Sequence, residues 1–364
     1  MEDWFFTQKK PPGWGGYQGS IDRRCYPNSR GRGVHVWASQ LVQGEPRLVA
    51  GFATFHRLKV CEMFEFLQVL YKDQPPNWAL LKAWGRFFTE DETGGQLSDF
   101  QHSLEETRDE NLRLEPDDDQ VVQDGHYIWF KRLTEWRLIW DTPHTRRWPL
   151  ISRVVTTQAS INVSGNTTPT RTETIRRPRR KTDGRCRVTG KLALDRGEPR
   201  GQDWSTLHCA HVLPLAWSTK DKMEEMFSKE ALQLVEALLS GDLLDNTILM
   251  DARVHGWFDD YRFGIWPVQQ GGRWYGKIFR FEQGSCDIDG EWLLAAATPA
   301  KIPLPAYGHR ETSLEREARE RDEKEREEDR TPYDLTDEPI LQEVLKVHFE
   351  TCLHWHVKGM GWHK

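Results

Sequence analysis

Residues 243–267 read LLDNTILMDARVHGWFDDYRFGIWP, and this order decides the architecture around them. NTILM, beginning at Asn246, is a short apolar run with β-branched residues, the composition of a buried strand. Asp251 follows as a suitable helix cap, and ARVHGWFDDY after it reads as a short helix. Upstream, HCAHVLP at 208–214 is a strand or strand-like loop ended by Pro214, and CRVTGK opens the unit at Cys186. The expected order is therefore strand, strand, helix, with His211 near the end of the first strand, Asn246 at the start of the second and His255 on the helix.

The residue types carry a chemistry. His255 and Asp259 are four apart on the helix, so both side chains project from one face and can reach one divalent cation. Imidazole with carboxylate suits Mg²⁺, Mn²⁺, Zn²⁺ or Ni²⁺. Phosphodiester hydrolysis needs an activated water, neutralised charge on the phosphate and a stabilised leaving oxygen. A histidine with an ordinary pKa of about 6.5 is mostly neutral at physiological pH and can take the proton from that water. A metal ion supplies the other two requirements.

These residues resemble the HNH nuclease superfamily, which is built on a ββα-metal scaffold, and within it the HNH proteins widespread in fungi. The resemblance rests on Cys186-Arg-Val-Thr-Gly190, on Ala210-His211-Val212 followed by Pro214, on Asn246, and on His255 with Phe258-Asp259. It implies that His211 is the general base, that Asn246 ties the hairpin loop and orients the base, and that His255 is a metal ligand. Asp259 occupies the place of a second helix ligand. The implied cofactor is one divalent metal ion, foremost Mg²⁺ or Mn²⁺, with Zn²⁺ and Ni²⁺ as alternatives; the implied partner is double-stranded DNA. A weaker likeness extends over residues 30–364, through GRGVHVW, GHYIWF and the terminal helix with VHF.

Two features depart from that pattern. Many HNH nucleases place a ligand immediately before the base, where this chain has Ala210; His208, Asp242 and Asp245 are the candidate substitutes, with water and substrate phosphate as the remaining option. His211 and Asn246 are also 35 positions apart, and MEEMFSKEALQLVEALLSG between them reads as one amphipathic helix burying Met226, Leu232, Val235 and Leu239. Such an insertion between two strands is tolerable because loop closure costs grow slowly with length.

The rest of the chain frames this unit in an α+β fold: a small β-rich N-terminal domain, the ββα module with added helices, and a C-terminal packing helix. Residues 1–29 read as an irregular arm. Residues 30–150 read as the β-rich domain with an acidic insertion, in which VHVWAS, LVAGFATF, HYIWFKRL and WRLIWD are strand-like. VCEMFEFLQVLY suits a helix or a long strand, and WALLKAWGRFF is an amphipathic piece. Residues 151–183 form an Arg/Thr-rich linker, 184–308 the nuclease domain, and 309–335 a charged helical or disordered insertion. In 336–364 a helix starting near Pro339 places Leu341, Val344, Leu345, His348, Cys352 and Trp355 on one face. His348, His354 and His356 read as contacts with the helix dipole and solvent rather than as ligands.

The net charge of −6 excludes a uniformly basic, DNA-coating surface, yet Arg176, Arg177, Arg179, Arg180 and Lys181 form a local cationic block beside the module. That block is a candidate phosphate grip, and its RRPRRK run also matches a nuclear address. The 17 Trp read mainly as packing. Six cysteines without a Cys-x-x-Cys pair give neither a zinc ribbon nor a disulfide framework. With no apolar leader and no run of eighteen apolar residues, the expectation is an intracellular protein that is neither secreted nor membrane-spanning. The functional expectation is a metal-dependent DNA endonuclease; the alternative is a decayed HNH fold retained as a nucleic-acid or protein interaction module.

Overall fold

A computed structural model describes residues 34–38, 48–52, 57–70, 78–83, 113–123, 125–132, 138–139, 171–195, 202–240, 243–281, 288, 291–298, 300 and 312–357. The chain divides into two compact units. One comprises Met1–Arg147, Phe281–Gly284 and Glu350–Lys364; the other comprises Trp148–Arg280 and Ser285–Phe349.

The first unit holds β1 (Val34–Ala38), β2 (Leu48–Phe52), α1 (Val60–Leu70), β3 (Trp78–Ala83), β4 (Arg113–Leu114), β5 (Gly125–Arg132) and β6 (Leu138–Ile139). Its sheet runs β2-β1-β5-β3-β4, with β6 added against β5. β1 and β5 are parallel and the other pairs antiparallel. Val34 and Val36 on β1, Tyr127 and Trp129 on β5, and Leu80 on β3 are buried, and the i, i+2 spacing puts each pair on one face of its strand. α1 buries Val60, Met63, Phe64 and Leu67, the i, i+3, i+4, i+7 stripe, which settles the ambiguity of that segment in favour of a helix. Of the amphipathic piece WALLKAWGRFF, Trp78–Ala83 is strand, bonded to β5 on one side and β4 on the other. Ladders on both sides take up its backbone N–H and C=O groups, which decides this stretch as strand. The remainder of that piece, residues 84–88, lies outside the described residues, as do the N-terminal arm and most of the acidic insertion.

The second unit begins with α2 (Arg171–Asp183), where a linker was expected. Ile175, Arg179 and Asp183 are buried, a stripe at i, i+4, i+8 that is mostly polar and so invisible to an apolar-periodicity reading. Pro178 lies inside this helix. β7 (Leu194–Asp195) and β8 (Gln202–Asp203) then form a small antiparallel pair. Next come β9 (Leu207–His211), α3 (Lys220–Met226), α4 (Lys229–Val235), β10 (Thr247–Asp251) and α5 (Ala252–Asp259). β9 and β10 pair antiparallel from Leu207 opposite Asp251 to His211 opposite Thr247, and α5 follows β10 directly. The strand, strand, helix order is thus realised, with Asn246 closing a short 3-10 turn, Leu244–Asn246, just before the second strand.

The insertion between the strands is not one helix. α3 stops at Met226, and the Ser228 side chain accepts from the Ala231 N–H to cap α4. Met226 and Val235 are buried as expected, whereas Leu239 is exposed and Leu238 takes the buried place, because Glu236–Ser240 winds as a 3-10 helix with three residues per turn. Beyond α5, β11 (Phe263–Gln270) and β12 (Arg273–Arg280) form a hairpin whose two-residue turn is Gly271-Gly272, both at positive φ (56 and 82). Two consecutive left-handed residues are what a tight hairpin of matching twist requires.

α6 (Ser313–Glu328) is the charged helix, opened by a capping box between Thr312 and Glu315. It is not a freely solvated insertion. Arg185, fully buried, donates through Nη1 to the carbonyl oxygens of Arg326 and Asp329 at 3.1 and 2.7 Å, and through Nε to Ala295 O at 2.8 Å. Gly190, at φ 82, passes so close that a Cβ would stand 2.9 Å from Glu327 O. The CRVTGK segment therefore docks the C-terminal turn of α6. α7 (Pro339–His356) brings Leu341, Val344, Leu345 and Phe349 into the second unit's core, with the Phe349 ring 5.0 Å from Trp266 and 5.6 Å from Phe279.

Candidate active site

Asn246 is fully buried and forms a reciprocal pair with Leu213: its Nδ2 donates to Leu213 O at 2.8 Å, and its Oδ1 accepts from the Leu213 N–H at 2.8 Å. The Val212 N–H also donates to Asn246 O at 2.9 Å. Only a side-chain amide presents one donor and one acceptor to a peptide in this way. The turn that leaves β9 immediately after His211 is thereby fixed to the entry of β10. His211 itself is the half-exposed last residue of β9.

The helix is aimed from its N-terminus. Asp251 Oδ1 accepts from the Arg253 N–H at 3.0 Å, and Oδ2 accepts from Lys191 Nζ at 2.7 Å. Partial burial works against the Asp251 charge, but the Lys191 ammonium and the helix N–H groups outweigh it and hold the carboxyl below the usual range. Lys191 closes the CRVTGK run, but the sequence reading gave it no role, because only the fold brings it to the cap.

His255 lies one turn from Asp259, and the i, i+4 spacing brings them together, Nε2 to Oδ2 at 3.3 Å. On the other side of the same ring, His255 Nδ1 faces His208 Nδ1 at 3.4 Å, the rings at 85°. His208, Ala210 and the strand alternation explain this: His208 is two residues before Ala210, so it leaves the strand on the same face. The face on which Ala210 offers no donor thus regains one, one pleat earlier. Partial desolvation, then the His255 imidazole and the Arg176 guanidinium, lower the pKa of His208 and favour its neutral, ligating form. Two imidazole nitrogens 3.4 Å apart have the separation of two tetrahedral ligands each about 2.1 Å from one ion. The donor chemistry fits a divalent metal. Among the described residues, no three or more His, Cys, Asp or Glu side chains gather into a ligand cage, and the pair that could hold an ion is His208 with His255. Asp245 is exposed beside Asn246, and Asp242 lies outside the described residues.

The basic block divides. Arg176 and Arg180, one turn apart on α2, both act electrostatically on His208, and the Arg180 guanidinium lies 5.9 Å from the centre of the Trp204 ring. Arg177 and Lys181 are exposed. Arg179 is withdrawn from any nucleic-acid role: it is 3% exposed, and its guanidinium donates to Thr247 Oγ1, Asp183 Oδ1 and Leu244 O. It braces α2 against β10.

His348 corrects the expectation of solvent contact. It is 4% exposed, stacks on Phe258 with ring centres 3.7 Å apart and planes at 8°, and its Nε2 lies 3.3 Å from Phe258 O. Burial lowers its pKa to about 4, so the ring is neutral and Nε2–H donates to the carbonyl. His354 and His356 are likewise buried.

No curated protein and no solved structure matches the chain. Residues 186–265 match the family model described as HNH endonuclease. That segment spans the hairpin, Asn246 and α5, supports placement in the HNH superfamily, and points to nuclease activity on a nucleic-acid substrate.

Proposed function

We propose that this module is a metal-dependent endonuclease that hydrolyses phosphodiester bonds of duplex DNA. The supporting observation is the meeting of His208 and His255, Nδ1 to Nδ1 at 3.4 Å, across the strand and helix that flank the clamped turn after His211. In this reading His208 and His255 ligate through Nδ1, and Asp259 hydrogen-bonds Nε2–H of His255, fixing the tautomer and ring orientation. When bound, the ion supplies Lewis-acid stabilisation of the phosphate and of the departing oxygen. Of the ions the sequence pointed to, two imidazole ligands favour Mn²⁺ over Mg²⁺. His211 takes the proton from the attacking water, its position set by Asn246 through Val212 and Leu213.

The reaction is tested directly. Purified protein is expected to convert supercoiled plasmid to nicked circles with Mn²⁺, to stop on chelation and to resume when Mn²⁺ is returned in excess. Intact plasmid under those conditions, with DNA binding retained, would sink the enzyme reading and favour the decayed module.

Arg176 and Arg180 serve as the phosphate grip, since they flank His208 while Arg179 is tied into the fold. Replacing both with alanine is expected to reduce the slope of log K against log salt by about two, at roughly 0.9 per phosphate contact. Fluorescence anisotropy on a duplex across a salt series measures it; an unchanged slope would remove these residues from the interface.

A further inference from the structure

α5 has eight residues, about two turns, so the direction of His255 and Asp259 depends on how its C-terminus is held. The end is a Schellman closure. The Tyr261 N–H donates to Phe258 O at 2.9 Å, and the Arg262 N–H donates to Trp257 O at 2.9 Å. The residue that must turn left-handed is Tyr261, at φ 57, where glycine is the ordinary occupant. Surrounding contacts must hold such a backbone conformation in place.

Those contacts come from α7, outside the segment that matches the family model. The His348 ring stacks on Phe258 and lies 5.3 Å from the Tyr261 ring, and Tyr261 is 6% exposed. Nε2 of His348 adds a second donor to Phe258 O, the carbonyl that already accepts from Tyr261. A phenylalanine at 348 could stack without donating, and a glutamine could donate without stacking; histidine does both.

We propose that His348 is a positioning residue for the metal-ligand helix: through Phe258 and Tyr261 it holds the left-handed closure that aims His255 and Asp259. The inference rests on the metal-site reading given under Proposed function.

The test titrates Mn²⁺ calorimetrically into the full chain as wild type, His348→Phe and His348→Gln, with hydrogen exchange followed in parallel. Both variants are expected to bind Mn²⁺ about tenfold more weakly, the usual scale for a residue acting behind a ligand. Their nicking should recover at saturating Mn²⁺, and exchange should accelerate in residues 252–262 but not in β9 and β10. Adding Tyr261→Gly to His348→Phe is expected to restore much of the affinity, because glycine holds the closure without support. Affinities within twofold of wild type in both variants overturn the proposal, as does accelerated exchange spread evenly over the unit. Wild-type protein that binds no Mn²⁺ overturns the metal-site reading itself, and this inference with it; wild-type binding with unaffected variants overturns this inference alone.

Discussion

His211→Ala is expected to lower Mn²⁺-supported plasmid nicking by about 10²- to 10⁴-fold, the range that general-base catalysis contributes. The same variant should keep its Mn²⁺ affinity and its DNA affinity, because the proposed ligands are His208 and His255 and the proposed phosphate grip lies on α2. His211 is at the end of β9 and half-exposed, so its removal leaves the hairpin register and the Asn246 pair in place. Initial nicking rates at saturating Mn²⁺, with calorimetry on the same preparations, separate the two properties. A variant as active as wild type would remove His211 from the mechanism. Loss of metal binding together with activity would instead make it a ligand.

Asn246→Ala is expected to cost about 2–6 kcal/mol of folding stability, since it strands both the N–H and the carbonyl of Leu213 in a buried turn, each worth about 1–3 kcal/mol when unsatisfied. Asn246→Asp should do no better: it keeps the acceptor for the Leu213 N–H but sets a carboxylate against Leu213 O at a fully buried position. Denaturant midpoints measure the loss. In whatever fraction remains folded, nicking should fall further than binding, because the turn following the base has lost its anchor. An Asn246→Ala protein with an unshifted midpoint would show that the backbone bond from Val212 to Asn246 is sufficient by itself.

The local rules held where the segment carried its own signal. The apolar run before Asp251, the cap and the short helix after it follow from residue type and periodicity; the antiparallel pairing of NTILM with HCAH is what the resemblance implied. They failed where the decisive partner was distant or polar. WALLKA, whose type the sequence left open, became a strand because β4 and β5 offered ladders on both sides. α2 went unseen because its buried stripe contains Arg179 and Asp183, which pay for their burial through partners 68 and 66 positions away. The charged helix was legible as a helix, but its docking depends on Arg185, far upstream.

By itself, then, the sequence determined the order of the chemistry: His211 on one strand, Asn246 before the next, and His255 with Asp259 one turn apart on the helix that follows. These are short-range facts, set by alternation along a strand and the pitch of a helix. Only the tertiary structure decided which nitrogen of His255 faces His208, which arginine of the basic block is spent on the fold, and that His348, 90 positions beyond Phe258, closes the helix end. Each of those is a contact between elements remote in sequence. No periodicity encodes it, because it exists only once burial has brought the two surfaces together.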